Sequence, residues 1–131
     1  MKPKILLHQF DPVIYPFKIW IVITNEFQNI LDDYFLDYTT GENISFSKDV
    51  KDKTDAVTFA VRKKDTKEYG CVIMFRSRQM ITMSLAAHES SHAAKDLFNH
   101  IGAEVEPHEP FEYLLGWIVD CCEQVKKNKF K

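Results

Sequence analysis

Three things are scarce in this chain of 131 residues: cysteine, long apolar runs and net charge. The cysteines Cys71, Cys121 and Cys122 cannot build a disulfide framework, and on a helix the adjacent pair would diverge by about 100°, which disfavours joint chelation. They read as reduced core residues. The longest apolar run, IWIVI from Ile19 to Ile23, falls far short of a membrane span. The start, MKPKILLHQF, has lysines but too short an apolar run for a secretory signal. A formal net charge of -2 gives no attraction for nucleic acid or an anionic membrane, so neither is expected as a partner. The lysines of the last stretch, KKNKFK, read as a solvated tail behind a helix C-terminus, where cations are favoured. There is no internal repeat and no low-complexity tract. A single intracellular domain over residues 1–131 is the expectation.

What is present is an α+β pattern: a small, mainly antiparallel sheet with three helices, two of them consecutive at the C-terminal end. KILLHQ (4–9) and PFKIWIVIT (16–24) read as strands. A helix follows, with Asn25 and Gln28 as a capping pair and Phe27, Ile30, Leu31, Tyr34 and Phe35 at helical spacing. Residues 38–55 are polar and turn-forming, a long loop. AVTFAVRK (56–63) and CVIMFRS (71–77) form a hairpin across KDTKEYG, and Arg78 to Thr82 extend the sheet. Ser84 is the expected N-cap of a helix over Leu85–Ile101, with Gly102 as its C′ residue. A last helix starts near Pro107 or Pro110 and runs to Lys127, with an apolar stripe of Phe111, Leu114, Leu115, Ile118, Cys122 and Val125.

The chemistry concentrates in HESSH, His88 to His92. Two histidines four apart on a helix lie about 40° apart around its axis and about 6 Å along it, so both imidazoles can reach one ion. Glu89 is rotated to one side, where it can address a water on the metal rather than the metal. A metal-bound water is more acidic, and a neighbouring carboxylate can take its proton as the water attacks a carbonyl. An open site of this kind normally has a third protein ligand. The longer HExxHxxGxxH pattern is absent, since Lys95 and Phe98 stand where its Gly and third His would be. His100 lies about 12 Å past His92 on the same helix and cannot substitute. The next helix carries Glu109, Glu112, Tyr113 and Gly116 at i, i+3, i+4 and i+7. A carboxylate from this stripe, facing His88 and His92, would give a His₂Glu set, and Gly116 would let the two helices approach closely.

The segment His88–Glu89–x–x–His92, a turn, then Glu109-Pro110-Phe111-Glu112-Tyr113-Leu114-Leu115-Gly116 resembles small phage- and prophage-encoded zincin-like proteins of the gluzincin type. In these, HExxH is followed at similar spacing by a Glu-Ala-x-Ala-Tyr-Leu-x-Gly-like segment. The resemblance is specific over Met83 to Ile118 and architectural before it. It implies a small sheet backing the HExxH helix, followed by the glutamate helix. It also implies Zn²⁺ on His88, His92 and Glu109, with Tyr113 and Gly116 as the matching Tyr and Gly. Pro110 and Glu112 replace the usual small residues, so Glu112 competes for the ligand position. Ser90 and Ser91 fill positions that are often apolar.

These readings give a zinc-dependent metallohydrolase, a small phage-type peptidase with Glu89 as general base, in the cytoplasm of a bacterial host. Its partners would be a peptide or protein substrate and a phage or host protein. Tyr113, His100 and His108 are the candidates to stabilise an oxyanion. The alternative is a non-catalytic zincin-fold accessory protein, virion-associated or host-interacting. If the segment from Tyr38 to Asp55 borders the cleft, it would serve as a gate.

Overall fold

The computed structural model describes residues 6–45, 54–103 and 109–127. Strand β1 (His8–Phe10) and strand β2 (Lys18–Ile23) precede helix α1 (Phe27–Tyr34). Strands β3 (Phe35–Asp37), β4 (Ala56–Lys63) and β5 (Tyr69–Phe75) follow, then a 3₁₀ turn (Arg78–Met80), helix α2 (Met83–Ile101) and helix α3 (Glu109–Lys127).

The strands form one sheet in the order β1-β2-β5-β4-β3. The α+β class holds. Three ladders are antiparallel, whereas the central one, β2 with β5, is parallel, from Lys18↔Gly70 to Ile23↔Phe75. The parallel pair arises because α1 carries the chain back along the sheet to its far edge before β3, β4 and β5 fill the space in between.

Strand alternation divides the apolar residues between two faces. Trp20, Val22, Val57, Val61, Val72 and Met74 meet α1 through Phe27, Ile30 and Leu31. On the other face, Ile19, Ile21, Cys71, Ile73 and Phe75 meet α2 and α3 through Ala93, Leu97, Phe111 and Ile118. The sheet is therefore buried on both sides. Each fully buried Ile, Leu or Phe here contributes roughly 1.5–3 kcal/mol.

Several boundaries differ from the sequence reading. Phe35 leaves the helix for β3, whose pairing with Val61 to Lys63 outweighs the helical spacing. The N-cap position of α1 falls on Glu26, and Thr24 Oγ1 accepts its N–H at 3.0 Å. Arg78 to Met80 turn as a 3₁₀ helix instead of extending the sheet. Thr82, not Ser84, caps α2, its hydroxyl accepting the Leu85 N–H at 3.1 Å. At the other end Gly102 takes φ 73°, where L side chains are disfavoured, and the Ala103 N–H closes on the Phe98 carbonyl at 2.9 Å. The N-terminal part of KILLHQ, residues 46–53 of the long loop, and Pro107 and His108 lie outside the described residues.

Candidate metal centre

Helix α2 is anchored on two sides, and these fix where HESSH points. Ala86, Ala93, Ala94 and Leu97 are buried against the sheet and α3. Ser90 is fully buried, with Oγ 3.7 Å from Cys122 Sγ of α3. His88 and His92 each stand two residues from Ser90, so each is turned about 160° from the α3 contact. Both are exposed. Their rings lie together, 4.9 Å between centroids and 80° between planes. Two accessible imidazoles one turn apart suit a cation that accepts nitrogen ligands.

Glu89 points elsewhere. It is 5% exposed, and Thr58 Oγ1 of β4 donates to its Oε1 at 2.6 Å. Thr58 shares its face of β4 with Ala56 and Ala60, small residues that let α2 lie close to the strand. The β3 ladder on the outer side of β4 ends at Asp37↔Val61, short of Thr58. The Glu89 carboxyl is thus held between helix and sheet, one residue from His88. Sequence reasoning missed Thr58. The signal was available, since the alternation of AVTFAVRK already places Thr58 with the alanines on the helix-facing side.

The described acidic residues of α3 form no ligand set with the histidines. Phe111, Leu114, Ile118, Cys121, Cys122 and Val125 are the buried residues of α3. Glu112, Tyr113 and Gly116 are exposed, and Gly116 lies about 160° around the helix from Ile118. The expected close helix approach at Gly116 is absent, since a Cβ there would meet nothing within 4 Å. Tyr113 is 75% exposed and borders a hollow of about 480 Å³ with Pro12, Val13, Pro110 and Trp117, away from His88 and His92. Glu109 opens α3, but its side chain lies outside the described residues. Among the described residues no three His, Cys, Asp or Glu side chains gather as a metal-ligand set.

His100 sits among rings. Its Nδ1 is 2.6 Å from Tyr38 Oη, and the Phe17 and Tyr69 centroids are each 5.1 Å away. This is a packing role, tying the end of α2 to the segment after β3. Between the two histidine environments, Cys71 Sγ donates to Asp96 Oδ2 at 3.2 Å. Burial raises the Asp96 carboxyl above its usual range, against the opposing pull of the Cys71 hydrogen bond and His92. Burial likewise pushes the Cys71 thiol well up.

The chain matches no family model, no curated protein and no solved structure. The local chemistry of α2 and its neighbours therefore carries the functional argument. No described helix is long and apolar enough to cross a membrane.

Proposed function

We propose that this chain is a zinc-dependent hydrolase acting on peptide bonds, with His88 and His92 holding the ion and Glu89 moving the proton. One observation carries the reading: two exposed imidazoles, 4.9 Å apart, share a helical turn with a carboxyl fixed at 2.6 Å from Thr58. The donor set fits, since neutral imidazole is a favoured zinc ligand and both rings are accessible. By the resemblance to gluzincins, Glu109 is the third ligand. Bound Zn²⁺ would supply Lewis-acid activation of water. Thr58 donates to one oxygen of the Glu89 carboxyl, and in this reading that carboxyl takes the proton of the attacking water and returns it to the leaving amine. Tyr113, on the far side of α3, takes no part in this reading. The same resemblance implies a peptide or protein substrate, and a phage or host protein as partner, in a bacterial cytoplasm.

A second reading is a zincin-like accessory module without turnover. The burial of Glu89 and its bond to Thr58 favour it, because a carboxyl used structurally has no need of solvent. Glu89→Gln separates the two. The enzyme reading expects zinc, measured by elemental mass spectrometry, to be retained while cleavage of a peptide library is lost. His88→Ala should lose both. Zinc-loaded wild type that cleaves nothing in the library leaves the module reading. A folded wild type that takes up no added zinc ends both.

A further inference from the structure

Two carboxylates flank His92 along helix α2. Glu89, three residues before it, is held by Thr58. Asp96, four residues after it, is half-buried and turned to the sheet, where Cys71 of β5 donates to its Oδ2 at 3.2 Å. Three and four residues are the separations that bring side chains together on a helix. Side chains on a helix lean toward its N-terminus, so Asp96 leans toward His92 as His92 leans toward His88. His92 therefore stands between the other imidazole and a carboxylate, close enough to draw on the Asp96 charge.

The bond to Cys71 does not account for an acid at this position. A thiol is a weak donor, and a neutral acceptor such as Asn would take its hydrogen without the cost of burying a charge. The second oxygen of Asp96 is left over. Among the described residues neither Asp96 Oδ1 nor either ring nitrogen of His92 is hydrogen-bonded. A carboxylate with one oxygen anchored and one free, a single turn from a histidine that would ligate zinc, is placed to orient that histidine.

We propose that Asp96 is a positioning residue of the metal centre, its free oxygen accepting the ring N–H of His92 while Cys71 holds the carboxyl in place. The inference rests on the metal reading above. A proton fixed on the nitrogen facing Asp96 leaves the other nitrogen bare, which is the form of imidazole that binds zinc. His88 has no such support on its own helix, because the residue four after it is His92. The two ligands are thus unequal, and the aim of His92 depends on Asp96. Asn at this position separates charge from shape. If its carbonyl oxygen serves Cys71, its NH₂ faces His92 and donates to the ring. His92 then takes the opposite tautomer, with a proton on the nitrogen meant for the ion.

The test compares the full chain as wild type, Asp96→Asn and Asp96→Ala. Zinc affinity is measured by competition with a chromophoric chelator. The tautomer of each histidine is read from imidazole nitrogen NMR of chelator-treated protein at about pH 8, where the rings are neutral. Wild type should show His92 in a single tautomer. Asp96→Asn should switch it to the other, Asp96→Ala should populate both, and His88 should not change. Both variants should bind zinc about 10–100-fold more weakly than wild type. Urea unfolding of the chelator-treated proteins should find Asp96→Asn no less stable than wild type, so that zinc is not lost through the fold. Variants that bind zinc as wild type does make Asp96 a partner of Cys71 only, and leave the metal reading standing. Weaker zinc binding with the His92 tautomer unchanged also overturns the positioning role. A wild type that binds no zinc removes the metal reading and this inference with it.

Discussion

Thr58 Oγ1 donates to Glu89 Oε1 across 2.6 Å, joining the middle of strand β4 to the middle of helix α2. This bond holds Glu89 inward beside the buried Ser90, while the two histidines stay outside. Thr58→Val should therefore cost about 1–3 kcal/mol, the usual penalty for stranding a buried polar group, and Thr58→Ser should recover most of it. In chelator-treated protein, His88→Ala and His92→Ala should each change stability by less than about 0.5 kcal/mol. Urea unfolding compares the four variants. A larger loss at either histidine than at Thr58 would reverse the assignment of which residues face inward.

The cysteines should be chemically silent in the folded protein. Cys71, Cys121 and Cys122 are all buried and free. Burial, the largest cause in each case, raises Cys121 and Cys122 to about 12, and Cys71 well above its ordinary value. A thiol reagent at pH 8 should label none of them until denaturant is added, and then all three. Labelling without unfolding would contradict the packing of α3 on α2.

Asp96 gives a pH signature. Its folded-state pKa lies above the ordinary 3.8, mainly because of burial, so folding favours the protonated carboxyl. The contribution of this group to stability is greatest below 3.8 and falls as pH rises through the folded pKa. Asp96→Asn removes the penalty while keeping an acceptor for Cys71. The variant should thus be more stable than wild type at neutral pH, with the difference closing as pH falls below 3.8. Unfolding curves at several pH values decide it. A gain that persists in acid would point to packing rather than ionisation.

Two glycines should respond in opposite directions to alanine. A Cβ at Gly70 would stand 2.2 Å from the Lys18 carbonyl oxygen and 2.6 Å from Trp20 Cζ3, in the central parallel ladder. The backbone has no room to give there, and Gly70→Ala should destabilise by several kcal/mol, on the order of other overpacked cores. Gly116 is an exposed helix interior with open space, and Gly116→Ala should stabilise the protein by about 1 kcal/mol. Thermal unfolding of the two proteins under zinc-free conditions tests the pair.

Local periodicity explains what could be read from the sequence. The β4–β5 hairpin, the body of α2 and the apolar stripe of α3 follow from alternation or helical spacing within single elements. The parallel ladder and β3 do not, because their partners are distant: Phe35 pairs with Lys63, and Lys18 with Gly70. The candidate site shows the same division. Spacing placed His88 with His92, and Glu112 with Tyr113 and Gly116, on common faces. It could not say where a neighbouring helix lies. The apolar residues of α3 occupy the contact with α2, so Glu112 is left outside, and Thr58 reaches Glu89 from β4.

The central ladder also sets a timetable. Each of its pairs joins residues 52 positions apart, from Lys18↔Gly70 to Ile23↔Phe75. The neighbouring hairpin spans much shorter distances, closing at Arg62↔Tyr69. Local closures are fast and distant ones are slow, because the intervening chain must be ordered first. On a ribosome, β2 emerges with Trp20, Ile21 and Val22 uncovered and cannot find its central partner until Phe75 has been made. Strand β2 therefore waits, with only β1 as a neighbour in the sheet, until the β4–β5 hairpin arrives as the template that receives it.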